Sequence, residues 1–348
     1  MRTVTLGRTG LTVSKTAFGT VPIQRLPEAD AIALLRQAYD GGITFFDTAD
    51  TYTTSEMRVG KAFEGMMHKI TVATKVSPRT YQEASAHIEN SLRALKTDCI
   101  DLLQLHNPPQ CYADHDGTTP LDAALAYQKK GYVRHIGFTS HSLSVAEQAV
   151  QSGLYQTLQF PLNALSGPAD EALIQACEKA QMGVIAMKPF GGGIIKQASV
   201  TFTYFSQHPN VVPIYGMQRQ SELRELLELE AAPPLMDAYM KKQTRQMIDA
   251  IGGQFCRGCG LCNKACPQGI QISSCNRMGD FLSRNTLSTY LTAKWRDAME
   301  KTRTCTECGA CVQACPYGLD VRSQMRDSYE IFMDLWNRLG DQSQNPVL

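Results

Sequence analysis

"EADAIALLRQAYDGGITFFDT", Glu28–Thr48, holds one complete folding unit. Its first part is amphipathic at helical spacing, a glycine pair stops it, and "ITFFDT" is an apolar run of strand length. The same alternation continues on both sides. Strand-length runs are "KTAFGT", "ITFFDT", "KITVATK", "DLLQLH", "YVRHIGFTS", "YQTLQF", "GVIAMKP" and "NVVPIYG", eight in all. Helical patterns lie between them, such as "TYQEASAHIENSLRALKTD", with Ile88, Leu92 and Leu95 on one face. Strand and helix in turn are the mark of an α/β protein with a parallel sheet. Eight units of about 27 residues fit a closed (β/α)8 TIM barrel better than an open doubly wound sheet. No G-x-G-x-x-G follows the first strand, which also counts against a dinucleotide-binding half of the open kind. Ahead of strand one, "VTLGRTGLTV" predicts an N-terminal β-hairpin that plugs the bottom of the barrel.

The chain has 348 residues and a formal net charge of +1. Balanced charge gives no electrostatic footprint for nucleic acid or another polyanion. No run of about 18 apolar residues is present to span a membrane, and the N-terminus lacks the apolar stretch of an export signal. Twelve cysteines would suggest disulfides in a secreted protein, but eight of them fall in two tight arrays. Metal binding in the cytoplasm is therefore the expectation.

Those arrays are "CRGCGLCNKACP", Cys256–Pro267, and "CTECGACVQACP", Cys305–Pro316. Each reads C-x2-C-x2-C-x3-C-P, the bacterial ferredoxin pattern for [4Fe–4S] clusters, in which the fourth cysteine crosses to the other cluster. One cluster is expected on Cys256, Cys259, Cys262 and Cys315, the second on Cys305, Cys308, Cys311 and Cys266. Zinc is the rival for C-x2-C pairs, but four cysteines at this spacing, twice, point to iron. Gly258, Gly260 and Gly309 would let backbone amides face the sulfurs. Cys275 is off the spacing and reads as a buried, idle thiol. A Pro-Pro pair in "LEAAPPLMDAYMKK" marks a boundary, which puts the barrel at residues 1–232 and an α-helical ferredoxin-like domain at 233–348. Within the latter, "RNTLSTYLTAKWRDAMEKT" predicts one joining helix and "DVRSQMRDSYEIFMDLWNRLG" a closing one.

In such barrels, chemistry sits at the C-terminal ends of the strands. Asp47 ends the second predicted strand, Tyr52 follows in its loop, Lys75 ends the third and His106 the fourth. Singly, each has a structural explanation: a helix cap, surface packing, a solvated amine, a rim histidine. Four titratable groups on three consecutive strands form a constellation. The segments "GGITFFDTADTY", "VATK", "DLLQLHNP", "IGFTSHS" and "PIYGMQRQSELRELL" resemble the aldo-keto reductase family, from the hairpin to about Glu230. The resemblance implies a catalytic tetrad of Asp47, Tyr52, Lys75 and His106, with Asp50 and His141 outside it.

What this implies is an NAD(P)H-dependent oxidoreductase that reduces a carbonyl, or oxidises an alcohol, by hydride transfer. Tyr52 would be the general acid, Lys75 would lower the phenol's pKa, Asp47 would hold Lys75, and His106 would orient the carbonyl. The glycines of "MKPFGGG" suit a phosphate, and Arg219 suits a 2′-phosphate, favouring NADP(H) over NAD(H). The full expected cofactor set is Thr139, Ser140, Gln159, Met187, Lys188, Pro189, Gly191, Gly192, Gly193, Gly216, Gln218, Arg219 and Glu222. Relatives commonly carry an aromatic ring where Met187 stands and asparagine where Ser140 stands, which leaves the choice of nicotinamide open. Tyr112 and His115 are expected to line the substrate pocket.

Hydride carries two electrons and a cluster takes one, so direct exchange between the halves is chemically awkward and a flavin usually mediates; the expectation is nonetheless hydride chemistry coupled to one-electron transfer through the two clusters. No flavin motif is present, though the sequence leaves a flavin open. The clusters would serve the barrel's own small-molecule substrate, link to a ferredoxin or flavoprotein partner, or act as structure. The alternative function is a non-catalytic electron-carrier or regulatory subunit that uses the barrel as a nicotinamide sensor. The intact tetrad favours an enzyme.

Overall fold

The structure is a computed structural model that describes residues 1–77, 79–112, 116–251, 255–284 and 286–344. It divides into two compact units, Met1–Met247 and Ile248–Leu348.

In the first unit, β1 (Thr3–Thr5) and β2 (Thr12–Ser14) pair antiparallel as the expected hairpin. Then come β3 (Ala17–Gly19), α1 (Glu28–Asp40), β4 (Phe45–Asp47), α2 (Ser55–Ala62), β5 (Thr71–Val76), α3 (Tyr81–Leu95), β6 (Ile100–His106) and α4 (Pro120–Lys129). The series continues with β7 (Val133–Thr139), α5 (Leu143–Ser152), β8 (Thr157–Pro161), α6 (Pro168–Lys179), β9 (Gly183–Met187), α7 (Ala198–Ser206), β10 (Val211–Gly216) and α8 (Gln220–Ala231). Strands β3 to β10 close into a parallel barrel, with β10 pairing back to β3. The barrel read from the sequence is therefore the fold. α1 shows why: Ala31, Leu34, Leu35 and Ala38 form its buried stripe at i, i+3, i+4 and i+7. Gly42 ends that unit at φ 93°, a conformation that disfavours any side chain.

Period-two alternation decides what faces the barrel axis. Phe45, Ala73, Leu102, Ile185, Val212 and Ile214 form an apolar layer with Val4, Leu6 and Val13 of the hairpin region, so the hairpin does close the bottom. Two residues further along the same strands stand Asp47, Lys75 and Gln104, and two beyond Gln104 stands His106. Phe46, of opposite parity, packs outward on Phe63 at a ring separation of 4.7 Å. The register Asp47↔Ala73 and Lys75↔Gln104 staggers these polar residues around the mouth.

The second unit is helical. α9 (Ala238–Ile251) runs across the division between the units; α10 (Leu261–Ala265), α11 (Ile272–Cys275), α12 (Met278–Arg284), α13 (Leu287–Tyr290), α14 (Ala293–Lys301), α15 (Ala310–Gln313) and α16 (Val321–Leu339) follow. The core is Cys262, Ile270, Ile272, Cys275, Met278, Leu291, Met299, Cys311, Val321, Met325 and Phe332, among others. The single joining helix expected after residue 284 is instead two, α13 and α14. Leu291 turns into the core, fully buried, and Thr292 caps α14 by accepting from the Trp295 amide.

Candidate active site

Lys75 and Asp47 are each only 1 % exposed, on neighbouring strands β5 and β4. The Lys75 ammonium has three donors, and all three have partners. It donates to the Asp47 carboxylate, to the Thr48 carbonyl at 2.7 Å and to Tyr52 Oη at 3.4 Å. The other Asp47 oxygen accepts from the Gln104 amide at 3.1 Å and the Gln159 amide at 2.8 Å. The pair thus satisfies itself inside the barrel, which a buried ion pair needs. The ring of Tyr52 stands edge-on to that of His106, 5.9 Å between centroids. The structure therefore brings all four expected residues into one cluster at the C-terminal mouth.

Electrostatics correct one expectation. Burial is the largest influence on Tyr52 and raises its pKa; Lys75 lowers it, Asp47 raises it, and the net is a rise, not the expected fall. A phenol shielded from water resists ionising even beside an ammonium. Burial works against the Lys75 charge too, but Asp47 and Tyr52 together outweigh it and hold the lysine above its ordinary value. Half-buried His106 is pushed down to about 3, first by burial and then by Lys75. It is a neutral imidazole at working pH. Its Nδ1 lies 3.1 Å from Ser77 Oγ and 3.4 Å from Thr51 Oγ1.

The expected cofactor residues lie along the strand ends and loops of β7 to β10. Thr139 closes β7 and its hydroxyl accepts from the Asn107 amide at 2.8 Å, while the Ser140 amide donates to the Gln159 carbonyl at 3.0 Å. Met187 closes β9, and the Pro189 carbonyl accepts from Thr201 Oγ1 at 3.4 Å. Lys188, Gly191, Gly192 and Gly193 all have positive φ, 55°, 56°, 71° and 87°. Gly216 closes β10; a Cβ there would meet Pro22 at 2.9 Å. Glu222 caps α8 by accepting from the amides of Gln218 and Arg219, at 2.8 and 3.0 Å. The Arg219 side chain is 70 % exposed, at the start of that helix. A loop with three side-chain-free residues in the left-handed region, followed by an exposed arginine at a helix start, 3.8 Å from the Glu222 carboxylate, fits a dinucleotide phosphate. Asp50 pairs with His87 of α3, and the His141 amide donates to Asn107 Oδ1. Tyr112 offers its carbonyl to Tyr155 Oη at 3.0 Å, and His115 lies outside the described residues. A hollow of 730 Å³ beside α3, lined by Glu89, Arg93 and Tyr132 among others, contains none of the tetrad.

Sequence reading missed Gln104, Thr48, Ser77 and Thr51. Gln104 had a signal: a glutamine two residues before His106 in an apolar strand faces the same side.

In the helical unit the cysteines are free thiols. Burial pushes Cys262 up to about 12, and the neighbouring Cys256, Cys259 and Cys315 add to the rise, so Cys315 of the second array stands with three cysteines of the first. Cys305 and Cys311 likewise influence each other. Cys266 lies at the C-terminal cap of α10, which packs against α15, the helix of Cys311. Gly258, Gly260 and Gly309 have φ of 79°, 77° and 76°. The Glu307 amide donates to Cys305 Sγ at 3.4 Å, the amide-to-sulfur bond that steadies a thiolate. Among the described residues no three His, Cys, Asp or Glu side chains enclose a single ion. Four grouped sulfurs with amide donors fit a four-iron body. Cys275 is fully buried and off both groups, donating to the Ala298 carbonyl.

Two family models match the chain: the 4Fe-4S dicluster domain at residues 255–319 and the aldo/keto reductase family at residues 15–229. Among solved structures, the aldo-keto reductase AKR11C1 of Bacillus halodurans, in its holo form, superposes with a TM-score of 0.63 at 20% identity, over 71% of this chain and 96% of its own. An aldo-keto reductase of Klebsiella pneumoniae in complex with NADPH gives 0.61 at 20% identity, over 71% and 95%. A putative aldo-keto reductase of Pseudomonas aeruginosa, PA4992, gives 0.56 at 22%, over 66% and 94%. Most of the chain, from Lys15 to Leu229, thus carries both the barrel and the sequence pattern of one group of oxidoreductases: it belongs to the aldo/keto reductase family.

Proposed function

We propose that the barrel, residues 1–232, reduces a small-molecule carbonyl, or oxidises the matching alcohol, with Tyr52 as the acid–base residue. The observation that carries this is the three-way commitment of Lys75. Because Tyr52 Oη accepts from Lys75, the phenol's own proton is left to point at a substrate oxygen. As the carbonyl oxygen gains negative charge, Tyr52 donates that proton, and the buried ammonium stabilises the phenolate that remains. Neutral His106 donates a second hydrogen bond from Nε2 to the same oxygen when a Ser77 or Thr51 hydroxyl donates to Nδ1. Asp47, held by Gln104 and Gln159, keeps Lys75 charged and in place.

NADPH or NADH, when bound, would provide the hydride for the carbonyl carbon. Gly191, Gly192, Gly193 and Lys188 would hold its phosphates. Arg219 would pair with a 2′-phosphate, turning its exposed side chain away from Glu222, 3.8 Å off, to do so. Thr139, Ser140, Gln159 and Met187 would border the nicotinamide, and Pro189, Gly216, Gln218 and Glu222 would line the remainder. Iron–sulfur clusters on the two cysteine sets supply one-electron chemistry. We read them as a relay to a ferredoxin or flavoprotein partner, since a structural staple would need only one. Among the described residues no helix is long and apolar enough to cross a membrane.

The test is NADPH and NADH fluorescence titration of anaerobically prepared protein, then turnover over a panel of aldehydes, ketones and quinones. Binding with turnover that disappears in Tyr52→Phe is expected. Binding without turnover of any carbonyl would instead favour a sensor or carrier subunit.

A further inference from the structure

Three hydroxyls stand behind the tetrad, and none belongs to it. Thr20 follows β3, Thr48 follows β4 and Ser55 opens α2; all three are fully buried. Thr48 Oγ1 lies 3.0 Å from Ser55 Oγ, and Ser55 Oγ lies 2.6 Å from Thr20 Oγ1. Thr20 Oγ1 lies 2.9 Å from the Asp47 carbonyl oxygen, which also accepts from the Thr20 amide at 2.9 Å. A carbonyl can only accept, so it fixes every proton in the row. Thr20 donates to Asp47, which leaves Ser55 to donate to Thr20 and Thr48 to donate to Ser55. The chain runs one way, and in a dry interior each bond strengthens the next.

This chain closes the turn that carries Tyr52. Thr48 and Ser55 are the first and last residues of that turn, and their side chains join them. Inside the closure, the Tyr52 amide donates to the Ala49 carbonyl at 3.1 Å, and the Tyr52 carbonyl accepts from the Ser55 amide at 2.7 Å. A movement of Ser55 is therefore a movement of Tyr52. Thr48 is the fixed end, because its amide donates to the Ala73 carbonyl of β5 at 2.8 Å. The first half of the turn is also held from outside: the Asp50 amide donates to the Lys75 carbonyl at 3.0 Å, and the Asp50 carboxylate pairs with His87. At the other end, Glu56 ties α2 to β5 by accepting from Thr74 Oγ1. Between these anchors the turn is strained. Thr53, next to Tyr52, has φ 33°, a conformation that a β-branched residue avoids.

The contact that the closure protects is a marginal one. Lys75 Nζ reaches Tyr52 Oη at 3.4 Å, near the outer limit of a hydrogen bond, whereas it reaches the Thr48 carbonyl at 2.7 Å. A small shift of Tyr52 breaks the first bond and leaves the second. We propose that Ser55 is a positioning residue for proton transfer: through Thr48 and Thr20 it keeps the turn closed, so that Tyr52 Oη stays at the Lys75 ammonium with its proton toward the substrate oxygen. This rests on the reading of Tyr52 as the acid given above.

The test is a double-mutant cycle on full-length, anaerobically prepared protein, with NADPH and a carbonyl that the wild type turns over. Ser55→Ala is expected to lower kcat by about 10- to 100-fold, with the nicotinamide Kd unchanged. In a Tyr52→Phe background the same change should cost nothing further, because the proton it served is gone. Thr48→Val, which removes the hydroxyl and keeps the shape, should lower kcat in the same way, and Thr48→Ser, which keeps the hydroxyl, should restore it. That pair carries the test where Ser55→Ala does not fold. Wild-type kcat in Ser55→Ala, an equal loss with and without Tyr52, or equal rates in the two Thr48 variants would each overturn the proposal and leave the hydroxyls as packing alone. A Tyr52→Phe enzyme with full turnover would instead remove the reading beneath it.

Discussion

Tyr52 Oη receives a hydrogen bond from Lys75 Nζ at 3.4 Å, from an ammonium whose other two donors are held by Asp47 and by the Thr48 carbonyl. The phenol is therefore oriented, but it is not made acidic in the unliganded protein. Burial keeps its pKa above the ordinary value.

The first consequence is a pH profile. In the proposed mechanism carbonyl reduction needs Tyr52 protonated, and its pKa is raised from 10, so kcat/KM should stay level through neutrality and fall only above about pH 10. Tyr52→Phe should lower kcat/KM by about 10²–10⁴ with the nicotinamide Kd changed little. A falling limb near pH 7 to 8 in the wild type would show that another group controls the proton.

His106 gives a second prediction, for stability. Its folded pKa is about 3 against an ordinary 6.5. Between those values the unfolded chain binds a proton that the folded chain refuses, so stability is lost as pH falls from 6.5 toward 3. The thermal midpoint should drop across that window, and His106→Gln should drop less. Equal slopes in the two proteins would place the acid sensitivity elsewhere.

Two glycines of the hairpin turn provide a matched pair. A Cβ on Gly7 would lie 2.3 Å from the Gly183 amide nitrogen, whereas one on Gly10 meets nothing within 4 Å; both residues have positive φ, 51° and 72°. Gly10→Ala should cost about 1–2 kcal/mol for conformation alone. Gly7→Ala adds overpacking and should cost about 1–3 kcal/mol more, read by urea denaturation. Similar midpoints for both would mean that the hairpin does not press on the barrel floor.

Cysteine replacement separates ligands from bystanders. Cys315→Ser should remove about half of the iron and one EPR signal if, as the crossing pattern predicts, Cys315 is a ligand of the first cluster. Cys275→Ser should leave the iron content unchanged, since that thiol is fully buried and donates to the Ala298 carbonyl. Iron loss from the Cys275 variant would reassign the ligands.

Much of this was legible because barrel strands are short apolar runs, and a polar residue closing one is conspicuous. Asp47, Lys75 and His106 stand out that way. Gln104 is less plain: its spacing from His106 puts it on the same face, but that it meets Asp47 depends on neighbouring strands, which one strand read alone cannot reveal. Glu307 was hidden for another reason. Its backbone takes a left-handed turn, φ 56°, where the first array has Gly258 at φ 79°, so chemistry that normally calls for glycine is performed by a glutamate. The break before α14 was invisible because Leu291 and Thr292 suit a helix; tertiary burial of Leu291 overrides the local pattern. The Tyr52 pKa was misjudged for want of a burial depth, which decides between desolvation and a neighbouring charge.

The staggered ladder that seats Asp47 against Ala73 and Lys75 against Gln104 has an evolutionary side. Slipping any of these strands by one position would send its polar group out among the helices, so the proposed chemistry tolerates no such slip. The segments beyond the strand ends carry no such penalty. The rim can therefore be rebuilt without displacing the groups on which the proposed proton delivery depends.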